Sequence, residues 1–400
     1  MKILHMTDYY MPGFGYQDNN IIPRQKLLGH EAIIITSDRY WPIPEYEKTW
    51  GHILGARIQS EGIFYDKGIK IVRLKTIFEN KKHCYTALKG LRKAIIEFGP
   101  DIIHLHDIIG FLQLQTLFTA KKYGINIFID SHICHFNVTQ NSKRRKLFYL
   151  TYGFLLKSLF LNRVKKILPI NNDALMFLWH YLKIPASLME VNVLGVDTSV
   201  FKLDEQIRKS TRQRLGFSDQ DLVFIHTGKF SFKKKTIEIV KTVTNLSHFN
   251  IKLLLIGDGA LSVEKELKDI LKTDRNNSVT RMSHVAQKEL AEYFNAADIA
   301  VWIGEQTNSI QQAMACGNSV ILRRDLVSAE IIESGGGWMI NEGDDTAIEN
   351  IISEIRNNPE ILQTKKNEAL EIIRSKYDGD IITKNLMDIY IKNIGQNNRL

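Results

Sequence analysis

The sequence has few cysteines and no long apolar run. Its three cysteines, Cys84, Cys134 and Cys316, have no paired spacing and no companion cluster of zinc-finger type. We therefore expect reduced cysteines and no disulfide framework. No stretch reaches 18 apolar residues, and the N-terminal segment MKILHMTDYY lacks the long apolar core of a signal peptide. These absences predict a cytoplasmic protein without a transmembrane helix.

The remaining composition is typical of a folded protein that binds an anionic partner. Apolar residues make up 44% and charged residues 24% of the 400 positions. This length exceeds one ordinary hydrophobic core and predicts two domains. The net charge of +9 suggests a nucleotide, a nucleic acid or a membrane surface as partner. No recognised nucleic-acid-binding motif accompanies the charge, so we expect no nucleic acid partner.

Short apolar strands alternate with helices in both halves of the chain. Predicted strands include 1–6, 32–36, 70–74, 126–129, 166–170, 222–226, 252–256, 299–303 and 319–322. This alternation favours an α/β fold with two doubly wound parallel sheets. We predict an N-terminal domain of residues 1–190, a hinge at 191–202 and a C-terminal domain of residues 203–380. We expect the terminal helix, within 381–400, to complete the first domain.

Two loops of the second half carry groups suited to an anionic ligand. Lys229 and the lysines 233–235 follow a predicted strand, with Ser231 between them. They either bind a diphosphate or form a solvated lysine run. The polar loop 304–308 follows another strand, with Ser309 as the predicted N-cap of a helix over 310–316. Such a loop either binds an anion or is the turn of a structural βαβ unit.

In the first half, glycines and histidines mark the ends of predicted strands. Gly13 and Gly15 follow the first strand, where they permit close backbone approach to a ligand or simply make a tight turn. His104, His106 and His132 lie near strand ends and belong either to a site or to the core. Their spacing on separate elements is not a metal-binding pattern, so we expect no metal.

The segment from Ser142 to Lys166 differs from its surroundings. Four basic residues, Lys143, Arg144, Arg145 and Lys146, precede a helix with aromatic residues that include Phe148 and Tyr149. We expect this helix to close with Arg163, Lys165 and Lys166. Basic and aromatic side chains together suit an anionic membrane surface. The alternative is a partly buried core helix with a solvated basic end.

Segments along nearly the whole chain resemble the GT-B glycosyltransferases of family 4. They are the first loop through Gly29-His30-Glu31 and the segments 100–104, 194–198, 228–235, 255–259 and 313–317. The resemblance implies two Rossmann-like domains with a cleft between them. It also implies a retaining, hexosyltransferase-type enzyme (EC 2.4) that uses a nucleoside diphosphate sugar as co-substrate and needs neither a metal nor another cofactor.

The resemblance also implies roles for individual residues of the donor site. Gly13 and Gly15 match the family's glycine loop near the donor diphosphate and the acceptor. His132 resembles the histidine that contacts the transferred sugar. Members of the family bind the diphosphate with two basic residues. Their positions match Lys229 and Lys234, or Lys235 if the register shifts.

The family's motif of two glutamates is matched with departures. Glu305 stands at the first glutamate, which contacts the donor sugar, and Gln312 at the second, which binds the ribose hydroxyls. The interval between them is one residue short. Thr307-Asn308-Ser309-Ile310 replaces the usual glycine-rich phosphate turn. An amide still hydrogen-bonds a diol, but without the carboxylate's charge-assisted strength.

From this resemblance we predict transfer of a sugar to a hydroxyl acceptor in surface polysaccharide biosynthesis. We expect a lipid-linked acceptor or a nascent glycan, and a protein located peripherally on the inner face of the plasma membrane. Two alternatives remain: a nucleotide-sugar epimerase of GT-B fold, or a catalytically degenerate membrane-associated scaffold.

Overall fold

The computed structural model describes residues 1–43, 46–135, 143–160, 162–246, 250–305, 307–344 and 346–394, with residues 48 and 49 described by their backbone alone. The chain forms two compact units. The first consists of Met1–Leu194 together with Gly379–Leu400, and the second of Gly195–Asp378.

The first unit is built on a mainly parallel sheet. Its strands, with those of a separate hairpin, are β1 (Lys2–Met6), β2 (Glu31–Ser37), β3 (Gly62–Asp66), β4 (Ile69–Leu74), β5 (Thr76–Asn80), β6 (Tyr85–Leu88), β7 (Ile102–Leu105), β8 (Asn126–Ser131) and β9 (Val164–Pro169). Among the described residues the sheet order is β3-β4-β2-β1-β7-β8-β9, and β5 pairs with β6. Only the β3–β4 pairing of this sheet is antiparallel within that part of the chain.

Helices connect the strands of the first unit. They are α1 (Gln17–Leu27), α2 (Tyr46–Thr49), α3 (Gly51–Leu54), α4 (Leu91–Phe98), α5 (Phe111–Tyr123), α6 (Lys143–Phe160) and α7 (Asn172–Tyr181). Alternate strand residues face opposite layers. Leu4 packs in the layer that contains Leu112 and Phe160, whereas Ile3 packs with Ile22 of α1. Both sheet faces are therefore covered, which explains why the parallel strands are continuous apolar runs.

The second unit repeats this architecture. Its strands are β10 (Leu222–Thr227), β11 (Ile251–Ile256), β12 (Val279–Met282), β13 (Ile299–Trp302), β14 (Ser319–Arg323) and β15 (Gly337–Ile340). They form a parallel sheet in the order β12-β11-β10-β13-β14-β15. Its helices are α8 (Glu205–Leu215), α9 (Thr236–Asn245), α10 (Leu261–Thr273), α11 (Gln287–Ala296), α12 (Ser309–Ala315), α13 (Leu326–Ile332), α14 (Ala347–Asn357) and α15 (Glu360–Ile372).

The last helix, α16 (Gly379–Ile394), belongs to the first unit. Leu386 and Tyr390 are fully buried in the same core cluster as Ile3 and Phe128. Arg24 of α1 forms a 2.7 Å ion pair with Asp380. The helix therefore covers one face of a sheet whose strands all lie more than 200 residues earlier in the sequence.

Two local predictions are wrong. Arg163, Lys165 and Lys166 do not close the basic helix, because α6 ends at Phe160. Arg163 lies in a turn, and both lysines lie in β9, where Lys166 pairs with Glu190 at 3.8 Å. Ser309 is not the N-cap of α12; it is the first helical residue, and Asn308 precedes it without a capping hydrogen bond from its side chain. Among the described residues, no helix has the length and apolar character needed to cross a membrane.

Candidate functional site

The loop after β10 brings one lysine back towards the carboxyl end of the sheet. The backbone N–H of Lys234 donates to Ser231 Oγ at 3.1 Å and to the Ser231 carbonyl at 3.2 Å. Its Nζ lies 3.4 Å from the position that a Cβ on Gly228 would occupy. Burial lowers the pKa of Lys234, and the carboxylate of Glu305 opposes that shift. Lys234 is thus a partly desolvated cation.

The neighbouring lysines point elsewhere or into solvent. Lys235 has a left-handed backbone conformation, with φ of +57°, and its Nζ lies 3.4 Å from Glu238 on the next helical turn. Lys229 is exposed. Lys233 is also exposed and lies 3.5 Å from Glu305 Oε1. Of the two register alternatives in the sequence, Lys234 is therefore the lysine that turns inward beside Gly228, while the exposed Lys233 makes the ion pair with Glu305.

The loops after β10 and β13 are in direct backbone contact. The N–H of Glu305 donates to the carbonyl oxygen of Lys233 at 3.2 Å. A Cβ on Gly304 would lie 2.4 Å from that oxygen and 2.6 Å from the Cα of Lys234, so only glycine fits. The close approach follows from the parallel pairing of the two strands. It fixes a carboxylate and a cation beside one another at the strand ends.

Buried polar groups support this edge of the sheet. His226 at the end of β10 donates from Nδ1 to the Val301 carbonyl at 2.8 Å, and its Nε2 lies 3.2 Å from Thr236 Oγ1. Burial lowers the pKa of His226 to about 4. The indole N–H of Trp302 donates to the Thr227 carbonyl at 3.1 Å. His226 is therefore a neutral ring that ties β10 to β13.

The segment 307–310, which replaces the glycine-rich turn, is held in part by hydrogen bonds between its own residues. The N–H of Ile310 donates to the Thr307 carbonyl at 3.2 Å, and that of Ser309 approaches Thr307 Oγ1 at 3.4 Å. Ile310 is fully buried, so its side chain belongs to the core. Asn308 is exposed and Gln312 is half-buried. Asn308 is thus the most exposed of these residues, and the polar side chains of Thr307, Ser309 and Gln312 are all half-buried.

In the first unit, His132 stands at the carboxyl end of β8. Its Nε2 lies 3.1 Å from Gln17 Oε1 and 3.6 Å from Asp130 Oδ1. Its backbone N–H donates to Asp107 Oδ1 at 3.3 Å. Two acceptor oxygens facing one ring nitrogen indicate that Nε2 carries a proton. The ring is half-buried.

The glycine loop after β1 needs glycine for its backbone conformation. Gly13 and Gly15 have φ values of +76° and +68°. Among the described residues, no atom lies within 4 Å of the Cβ position of Gly13. A side chain at Gly13 is therefore excluded by backbone strain and not by crowding.

A buried polar chain lies behind His132. Asp130 Oδ2 accepts hydrogen bonds from His106 Nδ1 at 2.7 Å and His104 Nε2 at 3.0 Å, and Oδ1 accepts from the Asp107 N–H at 2.9 Å. The ring nitrogens of His104 and His106 and the carboxylate of Asp130 lie close enough together that they could also hold a metal ion. Hydrogen bonds to one shared carboxylate account for that spacing. His104 and His106 are thus core histidines, and neither lies on the surface.

Two family profiles match most of the chain. The family described as "Glycosyltransferase Family 4" matches residues 20–200, and the family described as "Glycosyl transferases group 1" matches residues 221–358. The chain belongs to the family 4 glycosyltransferases. Comparison with curated protein sequences gives no significant match.

Solved structures of other glycosyltransferases share the fold of this enzyme. A glycosyltransferase from Rickettsia africae superposes with a TM-score of 0.73 at 14% identity over 99% of both chains. Anabaena HepE in complex with UDP-glucose gives 0.70 at 15% identity over 98% of this chain and 100% of that one. WaaG, which is involved in lipopolysaccharide biosynthesis, gives 0.62 at 14% identity over 97% and 99%. At such identity the similarity shows the GT-B fold of two Rossmann-like α/β domains.

The glycosyltransferase has an unusual helix in α6. Lys143, Arg144, Lys146 and Phe148 are exposed, whereas Arg145 and Tyr149 are half-buried. Leu147 and Phe154 are 61% and 68% exposed. On the other side, Tyr152, Leu156 and Phe160 are buried, and Gly153 lies against the backbone of Leu182. The helix therefore packs on the core and presents a mixed basic and apolar face.

Asp130, His5 and Tyr390 are polar residues of the glycosyltransferase that sequence reasoning missed. All three are fully buried or nearly so, and each has a hydrogen-bond partner within the histidine chain. The sequence carries one signal for them: Asp130 lies inside the apolar strand IFIDS, two residues before His132. A carboxylate inside a buried strand requires partners, so its presence should direct attention to nearby histidines.

Proposed function

We propose that this glycosyltransferase transfers a sugar from a nucleoside diphosphate sugar to a hydroxyl acceptor with retention of configuration. The observation that carries the proposal is the contact between the loops after β10 and β13, which places the backbone of Lys234 against Gly304 and pairs Lys233 with Glu305 at 3.5 Å. A partly desolvated cation at strand ends stabilises a leaving diphosphate. Lys229, exposed on the same loop, supplies a second positive charge.

Within this proposal, the remaining donor contacts come from neighbouring residues. Glu305 contacts the donor sugar and Gln312 the ribose hydroxyls, with Thr307, Asn308 and Ser309 near the phosphates. His132, in the first unit, contacts the transferred sugar. We propose that the leaving phosphate assists deprotonation of the acceptor, so that no enzymic nucleophile and no metal take part.

We further propose that the acceptor is lipid-linked or a nascent surface glycan, and that the enzyme binds the inner face of the plasma membrane. The exposed basic and apolar face of α6 supports this, because cations attract anionic headgroups while apolar side chains enter the interface. The similar protein WaaG is involved in lipopolysaccharide biosynthesis.

Nucleotide binding tests the donor proposal. Because HepE, which has the same fold, forms a complex with UDP-glucose, UDP and UDP-glucose are the first ligands to use, with GDP and GDP-mannose as the second pair. A ligand that binds only the folded protein raises its melting temperature. We expect a saturable rise with one nucleotide class, and no rise with either class would contradict the proposal. Conversion of UDP-glucose to an epimer without any acceptor would favour an epimerase instead.

Vesicle flotation tests the membrane proposal. We expect the protein to float with vesicles containing phosphatidylglycerol but not with phosphatidylcholine alone. Phe154→Ser should weaken flotation, whereas Leu261→Ser, which changes an even more exposed apolar residue of the second unit, should not. Failure of the unaltered protein to bind anionic vesicles would remove the main support for a lipid-linked acceptor.

Saturable nucleotide binding without any sugar transfer would favour the other alternative, a catalytically degenerate membrane-associated scaffold.

A further inference from the structure

The buried chain behind His132 has a hydrogen-bond pattern that assigns its protons. His5 Nε2 lies 2.8 Å from Gln25 Oε1, an acceptor, so His5 carries its proton on Nε2. His5 Nδ1 must then accept the hydrogen bond from His106 Nε2, at 3.1 Å. His106 Nδ1 also donates, to Asp130 Oδ2 at 2.7 Å. Both nitrogens of His106 are donors, and the ring is an imidazolium.

The surrounding charges agree with this assignment. Burial opposes a charge on His106, but the carboxylates of Asp130, Asp18 and Asp107 raise its pKa overall. Burial would raise the pKa of Asp130, yet His106 and the other hydrogen-bonded histidines hold it well below its usual range.

Two further rings face the pair. Burial and the neighbouring histidines lower the pKa of His5, and burial together with His106 and His132 lowers that of His104. The core therefore contains one ion pair flanked by two neutral rings.

A second series of hydrogen bonds runs from Asp130 through His104 to the terminal helix. His104 donates from Nε2 to Asp130 Oδ2 at 3.0 Å, so its Nδ1 is an acceptor. The hydroxyl of Tyr390 on α16 donates to that nitrogen. Burial raises the pKa of Tyr390 well above its ordinary value, so it remains a donor. Tyr390 thus fixes the tautomer of His104, which orients the carboxylate of Asp130.

We propose that the ion pair of His106 and Asp130, anchored through His104 by Tyr390, holds the ring of His132 in its working orientation. Asp130 Oδ2 accepts from two imidazole donors and Oδ1 accepts from the Asp107 N–H at 2.9 Å, so the carboxylate is held in place with Oδ1 3.6 Å from His132 Nε2. The negative charge of this fixed carboxylate, together with the Gln17 Oε1 acceptor at 3.1 Å, favours the proton on that nitrogen. His106, Asp130 and Tyr390 are positioning residues. The consequence for sugar transfer rests on the proposed function of His132; the ion pair does not.

Histidine NMR of the full chain tests the ion pair without any substrate. With ¹⁵N-labelled histidine, assigned by single substitutions, both ring nitrogens of His106 should show imidazolium shifts at pH 7. His132 should show one tautomer, protonated on Nε2. In Asp130→Asn, His106 should become neutral and the ring signals of His132 should shift. A neutral His106 at pH 7 in the unaltered protein would overturn the proposal.

Tyr390→Phe is the milder variant, since it removes one oxygen and keeps the ring. We expect the tautomer of His104 to become mixed and the signal of His132 to shift. Tyr377→Phe is the matched control, because its hydroxyl is also buried but contacts the Glu330 carbonyl in the second unit. Equal effects of both variants on His132, or none from Tyr390→Phe, would contradict the anchoring role.

Release of UDP from UDP-glucose supplies the kinetic readout. Small misplacement of a reacting group lowers turnover by up to about 100-fold, so Tyr390→Phe should lower kcat by about 10-fold or more. KM for UDP-glucose should change by less than about 2-fold, because the proposed diphosphate and ribose contacts of the second unit are unaltered. A raised KM at constant kcat would refute positioning. If the unaltered enzyme releases neither UDP from UDP-glucose nor GDP from GDP-mannose, the donor proposal fails while the NMR result still decides the ion pair.

Discussion

Replacing Lys234 by methionine should weaken nucleotide binding while leaving the unliganded fold at least as stable. This substitution removes the ammonium group and keeps a side chain of similar length. A charge-assisted hydrogen bond contributes about 1.5–3 kcal/mol, so we expect UDP to bind about 10- to 150-fold more weakly. At a UDP concentration 100 times the original Kd, the stabilisation by ligand should fall from about 2.7 kcal/mol to about 0.3–1.4 kcal/mol.

The unliganded protein should respond in the opposite direction. Burial lowers the pKa of Lys234, which means that the fold disfavours its charged form. Removing that charge should therefore raise the melting temperature or leave it unchanged. Thermal unfolding with and without UDP measures both effects in one experiment. A higher melting temperature without UDP, combined with weaker stabilisation by UDP, would identify Lys234 as a residue retained for binding at the expense of stability.

Lys241→Met is the matched control for this variant. Lys241 lies on α9, is largely exposed and pairs with Glu266 at 2.9 Å on the surface. The Lys241→Met variant should show the same rise in melting temperature with UDP as the unaltered protein. The reasoning would be refuted if Lys234→Met also kept that shift, or if Lys241→Met lost as much of it.

Three further predictions concern the second unit. His226 stays neutral in the fold to about pH 4, whereas an unfolded histidine binds its proton near pH 6.5; stability should therefore fall by up to about 3 kcal/mol as the pH decreases between these values, measured by urea unfolding. Gly304→Ala places a Cβ 2.4 Å from a carbonyl oxygen and should destabilise the protein by about 1–3 kcal/mol, whereas Gly51→Ala, which meets a movable carboxylate, should not. Gln312→Glu should tighten UDP binding by about 5- to 10-fold in calorimetry, because a carboxylate accepts hydrogen bonds about twice as strongly as an amide.

Each of these has an outcome that would contradict it. Stability that is unchanged between pH 6.5 and pH 4 would mean that His226 has an ordinary pKa in the fold. An unaltered melting temperature for Gly304→Ala would mean that the two loops separate easily. An unchanged or weaker Kd for Gln312→Glu would remove Gln312 from the ribose contact.

The central parallel strands were predictable from the sequence, whereas most of the edge elements were not. β1 and β2 are continuous apolar runs because both faces of their sheet are covered. The edge strand β3 and the hairpin of β5 and β6 were missed. β3 and β5 are short, mostly exposed or half-buried, and mix a carboxylate with aromatic side chains, and β6 has only four residues. Such segments lack a hydrophobic period that spacing alone can detect.

The same distinction applies to the candidate site. The sequence indicated a lysine of the 233–235 run but could not choose between Lys234 and Lys235, because the choice depends on a left-handed backbone at Lys235. The partners of Asp130 could not be predicted at all. His5 and His104 become neighbours only through the register of β1 and β7, and Tyr390 comes from a helix 286 residues after His104.

The return of α16 to the first unit determines an order of folding during synthesis. The second unit is complete once Asp378 has been made. The first unit then still lacks Leu386 and Tyr390, which complete the core around Ile3 and Phe128. A nascent chain should thus hold a finished second unit while one face of the earlier sheet remains exposed to water or to chaperones. Premature termination near residue 378 would accordingly damage the first-made unit and spare the later one.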